Sequence, residues 1–117
     1  MSTPEFVYKI ATEAAFAPAR GGAFAGMPID ARDGYMHFST AAQLAETLRL
    51  HFAGQDGLVL LAVRTAELGE NLRWEPSRGG DLFPHLHGGP LLPSAIAWEA
   101  PVSVGADGGC VLPEAVR

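Results

Sequence analysis

The sequence contains one cysteine, one lysine and no long uninterrupted apolar run. The single Cys110 excludes an intrachain disulfide, which predicts a reducing compartment. Charged residues interrupt each apolar stretch before it reaches the roughly 18 residues of a membrane-spanning helix. The N-terminal segment also lacks the composition of a signal peptide. We therefore predict a cytoplasmic protein without a membrane partner.

Basic residues are few, because 8 Lys and Arg stand against 13 Asp and Glu, which gives a net charge of −5. Proteins bind the backbone of nucleic acids through a basic face, so we expect no nucleic-acid partner. The length of 117 residues, with 48% hydrophobic and 18% charged residues, predicts one globular domain over 1–117 with a tail at 105–117. Nothing in the sequence predicts an oligomeric state.

Apolar patterns, turn residues and caps divide the chain into short strands and two main helices. The helices are predicted over 12–18 and 41–53. The strands are predicted over 6–11, 34–38, 58–64, 72–75 and 94–104, with a weak last strand in the tail. Glycines and prolines predict a long loop over 19–34. The strands after position 58 leave no room for crossover helices and must pair largely antiparallel, so the predicted fold class is α+β with a mixed or antiparallel sheet.

Two histidines lie two positions apart in the segment GGDLFPHLHGGPLLP, residues 79–93. On a regular strand His85 and His87 would point to the same face, where two imidazoles can bind one metal ion. Zinc needs three or four ligands, however, and no third ligand occurs at a recognised spacing. Pro84 and Gly88 also predict turns that break the alternation. We therefore predict no metal site, and a catalytic pair or two turn residues remain as alternatives.

His37 precedes Ser39, Thr40 and the predicted N-terminus of the helix 41–53. Helix N-termini attract anions through free N–H groups and the helix dipole, so these side chains can receive a phosphate or a ribose. The spacing of Thr40 and Gln43 also matches a capping box. In that alternative, Ser39 and Thr40 only cap the helix and His37 is an inward-facing strand residue.

Three further positions have an ordinary structural interpretation. Arg73 and Glu75 share one face of the predicted strand 72–75 and suit a cross-strand charge pair, although Arg73 can also hold a pyrophosphate. His51 lies near the end of the helix 41–53, where a cation is favoured, and is interpreted as structural. Tyr35 is interpreted as one of the core aromatic residues.

Four segments of the chain resemble, in order, a small bacterial family known as domain of unknown function 952. The segments are VYKIA, DGYMHFSTAAQL, LRWE and FPHLHG, beside a family pattern of YHI or YKI, GFIHLST, RWE and FPHLYGPLP. The likeness extends nearly from Phe6 to Trp98, in a family-like core of about 6–104. It implies an ADP-ribosyltransferase-like fold, in which a split α+β sheet binds NAD between its two halves.

The resemblance also implies site residues. His37 and His85 match the family pattern and are the candidate catalytic residues. The remaining candidates would orient ribose, clamp pyrophosphate, stack on nicotinamide or supply a carboxylate, and they are Tyr8, Lys9, Ser39, Thr40, Arg73, Glu75 and Phe83. Arg20 is an alternative clamp, and Glu99 is an alternative glutamate.

The chain departs from the family pattern at two of these positions. Lys9 stands where many members carry histidine, and a lysine donates hydrogen bonds but cannot accept one. His87 stands where the pattern has tyrosine, which predicts that His87 is not an essential ligand.

Two hypotheses of function follow from the residues and the resemblance. The first is an NAD- or ADP-ribose-binding protein of the ADP-ribosyltransferase-like type, with NAD as a substrate and a small-molecule nucleotide as the partner. As an enzyme it would transfer an ADP-ribosyl or phosphoryl group. The alternative is a non-catalytic small-molecule-binding or interaction domain that keeps the fold without the chemistry. No certain cofactor is predicted in either case.

Overall fold

Two three-stranded antiparallel sheets form the framework of the computed structural model, which describes residues 3–117. Their strands are β1 (Phe6–Thr12), β2 (Met36–His37), β3 (Leu58–Arg64), β4 (Leu72–Pro76), β5 (Leu82–Leu86) and β6 (Ile96–Val102). The strand order is β1-β3-β6 in the first sheet and β2-β5-β4 in the second. Reciprocal backbone hydrogen bonds of 2.8 and 2.9 Å between Tyr8 and Ser39 join the two sheets.

Short helices connect these strands in residues 3–117. The α-helices are α1 (Glu13–Phe16), α2 (Pro28–Asp33), α3 (Ala41–His51) and α4 (Thr65–Leu68). Turns of 3₁₀ helix cover Ala17–Ala19, Gly69–Asn71, Arg78–Gly80 and Pro93–Ala95. Helix α3 begins at the predicted capping box, since the Thr40 hydroxyl accepts from the Gln43 amide and the Gln43 side chain accepts from the Thr40 amide. None of the helices described here is long and apolar enough to cross a membrane.

Strand β3 is the central strand of the first sheet, as its apolar sequence predicts. Residues 58–63 are all buried, because β1 and β6 pair on either side and side chains pack on both faces. On one face Leu60 shares a cluster with Leu44 and Leu48 of α3. On the other face Leu61 shares a cluster with Phe38. The fold is therefore a small α+β domain with two antiparallel sheets, and α3 packs on the first of them.

The prediction of an unbroken loop over 19–34 is wrong, because helix α2 lies within it. Pro28 occupies the first turn, where its missing N–H and fixed φ are tolerated. Asp30 lies in the first turn of the helix, and its carboxylate accepts a hydrogen bond from the amide of the N-cap residue Met27 at 2.6 Å. Gly34 ends the helix with φ +85°, a left-handed conformation that favours glycine. The helix places Asp30 and Asp33 beside strand β2.

The segment 79–93 contains strand β5, which was not predicted from its sequence. Pro84 lies inside this strand, opposite Trp74 of β4, and its carbonyl accepts from the amide of Phe38 on the other side. Proline is unfavourable in a central strand because it lacks an N–H, so its presence argued for a turn. Strand β5 instead lies between β2 and β4 and brings His85 opposite His37.

The tail 105–117 forms turns and contains no strand, contrary to the prediction. Its apolar residues Cys110, Leu112 and Val116 pack against the cluster on the α3 side of the first sheet. The backbone N–H of Arg117 donates to the Tyr8 hydroxyl at 3.0 Å. The tail therefore covers the sheet face near Tyr8.

Candidate functional site

A cavity of about 420 Å³ lies where the Tyr8–Ser39 bridge joins the two sheets. The exposed surface of its wall is mostly apolar, although about half of the lining residues have polar side chains. Six of the residues predicted from the sequence contribute to this wall: Tyr8, Lys9, His37, Ser39, Phe83 and His85. The structure thus brings together residues from β1, β2, β5 and the segment that leads into α3.

His37 is held by carboxylates at both ring nitrogens. Its Nδ1 lies 2.7 Å from Asp30 Oδ1 and its Nε2 lies 2.9 Å from Asp33 Oδ2. The contact of Nδ1 with Asp30 is a hydrogen bond, and the carboxylate of Asp33 faces Nε2. The His37 backbone N–H also donates to Asp30 at 3.0 Å. In this arrangement His37 has no free nitrogen to act as a base.

Asp30 is a buried carboxylate whose acceptor sites are all used. Oδ1 accepts from the backbone and ring of His37, and Oδ2 accepts from the Met27 amide and the Lys9 ammonium at 2.7 Å. Burial favours the neutral acid, but the hydrogen bond to His37 and the charge of Lys9 outweigh it and hold the pKa of Asp30 well below its usual value. The Lys9 ammonium also donates to the His37 carbonyl at 3.0 Å. Burial lowers the pKa of Lys9, while Asp30 opposes that shift.

A glycine makes room for this carboxylate. Gly26 has φ +101°, and a Cβ placed there would lie 2.6 Å from Asp30 Oδ2. That distance is too short for any real side chain, so only glycine fits beside Asp30 without a shift.

A second network holds His85. Its Nδ1 lies 2.8 Å from Glu75 Oε1, and the same oxygen lies 2.8 Å from His87 Nε2. Burial lowers the pKa of His85, although Glu75 opposes the shift. The hydrogen bonds from His87 and His85 lower the pKa of Glu75 and keep it ionised at neutral pH. His85 is 2% exposed, so its ring is fixed inside the protein.

Tyr35 packs on three histidine rings. Its ring centroid lies 4.3 Å from that of His85 in a stacked arrangement, 4.8 Å from His37 and 5.1 Å from His87. The rings of His37 and His85 meet edge to face at 5.4 Å. Tyr35 is half-buried and belongs to neither hydrophobic core cluster, so its interpretation as a core aromatic is corrected.

Two of the remaining cavity residues have polar groups bonded within the protein. The Ser39 hydroxyl lies 3.2 Å from that of Thr47 on α3. The Tyr8 hydroxyl accepts a hydrogen bond from the Arg117 amide, and the centroid of the Tyr8 ring lies 6.0 Å from that of Trp98. Ser39 and Tyr8 therefore shape the wall next to the sheet junction.

Three predicted residues lie outside the cavity wall, namely Thr40, Arg73 and Glu75. Thr40 caps α3, so the capping alternative describes its side chain. Arg73 is exposed on the edge strand β4, and Glu75 pairs with His85 and His87 rather than with Arg73. Glu75 thus contacts the wall residue His85 but does not line the cavity itself.

The alternative clamp, Arg20, and the alternative glutamate, Glu99, lie away from this cavity. Arg20 forms ion pairs of 2.7 Å with both Glu13 and Glu99 on the surface, and its guanidinium lies over the Phe16 ring. Neither Arg20 nor Glu99 contributes to the cavity wall.

The sequence patterns did not predict a site role for Asp30, Asp33 or His51. The two aspartates were assigned to a loop, although their position between Pro28 and Gly34 contains the start and stop signals of a helix. His51 contributes to the cavity wall at the end of α3. Among residues 3–117, no group of three or more His, Cys, Asp and Glu side chains has a metal-binding arrangement.

Comparisons with known proteins agree with this fold. A family model described as "Protein of unknown function (DUF952)" matches residues 10–99. The crystal structure of protein CC0527 from Caulobacter crescentus is 45% identical, covers 91% of this chain and 93% of its own, and superposes with a TM-score of 0.83. The solution NMR structure of CC0527 is 45% identical, with 90% of each chain covered and a TM-score of 0.78. No curated protein matches significantly.

Proposed function

This chain belongs to the DUF952 family, and we propose that its cavity binds a nucleotide of the NAD or ADP-ribose class. The proposal extends the ADP-ribosyltransferase-like fold to this chain, because that fold holds NAD between two half-sheets and the cavity here lies at a junction of two sheets. The observation that carries it is the convergence of His37, Ser39 and His85 on one cavity.

The size and wall of the cavity suit the nucleoside part of such a ligand. Its volume of about 420 Å³ lies within the range of roughly 300–1,000 Å³ for small-molecule sites. The rings of Phe38, Phe52 and Phe83 offer flat apolar surface for a base or a nicotinamide. Ser39 and His85 are polar groups beside that surface, as a ribose requires.

The phosphate part would extend beyond the cavity wall toward the start of α3, because the α3 residues in the wall, Thr47 and His51, belong to the C-terminal half of the helix. Ser39 belongs to the cavity wall and stands two positions before Ala41, the first residue of this helix. The first-turn N–H groups of this 11-residue helix carry partial positive charge and attract anions, and of these the Gln43 N–H is already bonded to the Thr40 hydroxyl. We propose this location for the phosphate instead of a contact with Arg20 or Arg73, because both arginines are outside the cavity wall.

The site favours binding without ADP-ribosyl transfer. Transferases of this fold use a glutamate at the reacting ribose, and the candidate Glu75 is engaged by His85 and His87 behind the wall. Glu99 is paired with Arg20 elsewhere on the surface. We therefore favour the non-catalytic alternative, in which the family fold and the cavity serve recognition.

Calorimetric titration with NAD and ADP-ribose at one fixed salt concentration tests the proposal. Wild type should bind at least one ligand with a Kd below 1 mM. Phe52→Ala should weaken binding by about 10-fold, because it removes aromatic surface from the wall. Leu50→Ala is the matched control, because Leu50 lies two positions away in the last turn of α3, is 46% exposed and does not line the cavity.

The same samples separate binding from catalysis. Chromatography of NAD after prolonged incubation should show no release of nicotinamide beyond a protein-free control. Release that depends on the protein would replace the recognition role by an enzymatic one. Absence of binding to both ligands below the millimolar range would overturn the nucleotide proposal.

A further inference from the structure

We infer that His85 Nε2 is the hydrogen-bond acceptor that the cavity offers to a hydroxyl of its ligand, and that Glu75 is the positioning residue that keeps it an acceptor. The choice of a ribose hydroxyl rests on the proposed function. The acceptor itself rests on the geometry of His85 and Glu75 alone.

The tautomer of His85 follows from its partner. Glu75 Oε1 lies 2.8 Å from Nδ1, and an ionised carboxylate can only accept, so Nδ1 carries the proton. A neutral imidazole has one N–H, which leaves a lone pair on Nε2. Among the side chains and backbone groups that the structure describes, no donor is found for Nε2, and His85 is part of the cavity wall. Burial lowers the pKa of His85, which supports the neutral ring at pH 7.

None of the other histidines presents a comparable acceptor to the cavity. His37 has carboxylates at both ring nitrogens. His87 uses its Nε2 for Glu75 and does not line the cavity. His51 lines the cavity but is exposed at the end of α3, and no carboxylate among residues 3–117 fixes its tautomer. His85 is therefore the one site histidine whose orientation and tautomer are both set in advance.

The surroundings of His85 restrict its motion. Tyr35 stacks on the ring with centroids 4.3 Å apart and keeps it in its plane, and a flip within that plane that turns Nε2 away breaks the hydrogen bond from Nδ1 to Glu75. A buried acceptor that loses its donor is penalised, so such a site rejects a ligand that lacks the hydroxyl. His85 would thus determine specificity between hydroxyl-bearing and deoxy ligands.

Long-range ¹H–¹⁵N correlation spectra of the imidazole rings test the acceptor directly. On ¹⁵N-labelled wild type at pH 7, His85 should show a protonated Nδ1 and an unprotonated Nε2. His87 should show the opposite tautomer, because Glu75 accepts from its Nε2. Glu75→Gln should shift His85 toward a mixture of tautomers. Glu67→Gln, an exposed glutamate on α4, is the matched control and should leave the spectrum unchanged.

Ligand discrimination gives the second arm. Wild type should bind one monodeoxy analogue of NAD about 10- to 100-fold more weakly than NAD itself, because one hydroxyl would otherwise meet His85. His85→Asn keeps an amide donor near the Nδ1 position and removes Nε2, so it should bind that analogue and NAD equally. His85→Gln places an amide oxygen near the Nε2 position and should restore part of the discrimination.

The two arms separate failure of the inference from failure of the proposed function. A protonated Nε2 on His85 at pH 7 overturns the inference whether or not NAD binds. NAD binding with no discrimination among the deoxy analogues also overturns it. Failure of NAD and ADP-ribose to bind overturns the nucleotide class, while the tautomer spectrum still confirms or refutes the acceptor.

Discussion

Two carboxylate–histidine networks lie side by side at the β2–β5 pair, and they differ in how many ring nitrogens of the histidine are in contact with a carboxylate. Asp30 is buried, uses all its acceptor sites and, together with Asp33, occupies both nitrogens of His37. Glu75 is partly exposed and leaves one nitrogen of His85 without a protein partner among the described residues.

The difference follows from where each carboxylate lies. A buried charge is tolerated only when it is fully paired and hydrogen-bonded, so the Asp30 network must be closed. Glu75 lies on the edge strand β4, where water can satisfy its second oxygen, and its network can remain open toward the cavity. The closed network fixes the fold around the site, and the open one is available to a ligand.

The largest expected effect comes from opening the closed network. Asp30→Ala leaves the buried Lys9 ammonium without its carboxylate and removes both bonds to His37. Breaking a buried ion pair in this way costs about 3–5 kcal/mol. Urea denaturation of wild type and variant measures the change in the free energy of unfolding. Asp33→Asn, which removes a more exposed partner of His37, is the comparison and should cost less. An equal loss in both variants would contradict the contrast between buried and exposed partners.

A smaller loss should come from crowding the same carboxylate. Gly26→Ala brings a Cβ to within 2.6 Å of Asp30 Oδ2 and puts alanine at φ +101°. Gly21→Ala also places alanine at a positive φ, +82°, but meets no atom within 4 Å. Each change has a backbone cost of about 1–2 kcal/mol. Gly26→Ala should therefore destabilise more than Gly21→Ala, and the excess measured by urea denaturation reports on the contact with Asp30. Equal values would show that Asp30 moves without cost.

Much of the first sheet can be predicted from the sequence, and less of the second. Strand β3 is apolar at every position from 58 to 63, and α3 has a capping box and an apolar stripe, so local patterns suffice. Strand β5 contains Pro84, whose local preference opposes a central strand. Pairing with β2 and β4 outweighs that preference, and such long-range pairing leaves no mark in the local sequence.

The site residues likewise divide into those that local sequence motifs identify and those that only the fold brings together. His37 and His85 were identified from motifs, and the structure places their rings 5.4 Å apart. Asp30 was missed because its partners Lys9 and His37 are 21 and 7 positions away, and only the fold brings these charges together. Tyr35 was assigned to the core because an aromatic residue gives no sign of whether it packs on aliphatic side chains or on histidines.

The response of stability to pH separates the two networks. The lowered pKa of His85 means that the unfolded chain binds its proton first as pH falls below about 6.5, so stability is lost in that range. The slope for one group cannot exceed about 1.4 kcal/mol per pH unit. The lowered pKa of Asp30 adds stability that is complete above about pH 4 and is lost only below it.

Unfolding free energies at steps between pH 7 and pH 5 check this assignment. Wild type should lose stability over the range, and His85→Asn should show a shallower slope because it cannot bind the proton in either state. Equal slopes in the two proteins would assign the loss to another group and would place His85 in an ordinary protonation equilibrium.

The smallest effect should come from His87, which shares Glu75 with His85. His87→Tyr removes one hydrogen bond to Glu75 Oε1, but the side chain of His87 is 26% exposed and His85 keeps its own bond to that oxygen. Substitutions at such partly exposed positions usually change stability by no more than about 0.5 kcal/mol. Tyrosine is also the residue of the family pattern, and its ring can keep the packing against Tyr35 that His87 has at 5.1 Å.

Urea denaturation of His87→Tyr should therefore give a free energy of unfolding close to that of wild type. Titration with ADP-ribose should give a Kd within about 2-fold of the wild-type value, since His87 does not line the cavity. A large loss of affinity in His87→Tyr with unchanged stability would show that the open network depends on both histidines and that Glu75 cannot position His85 alone.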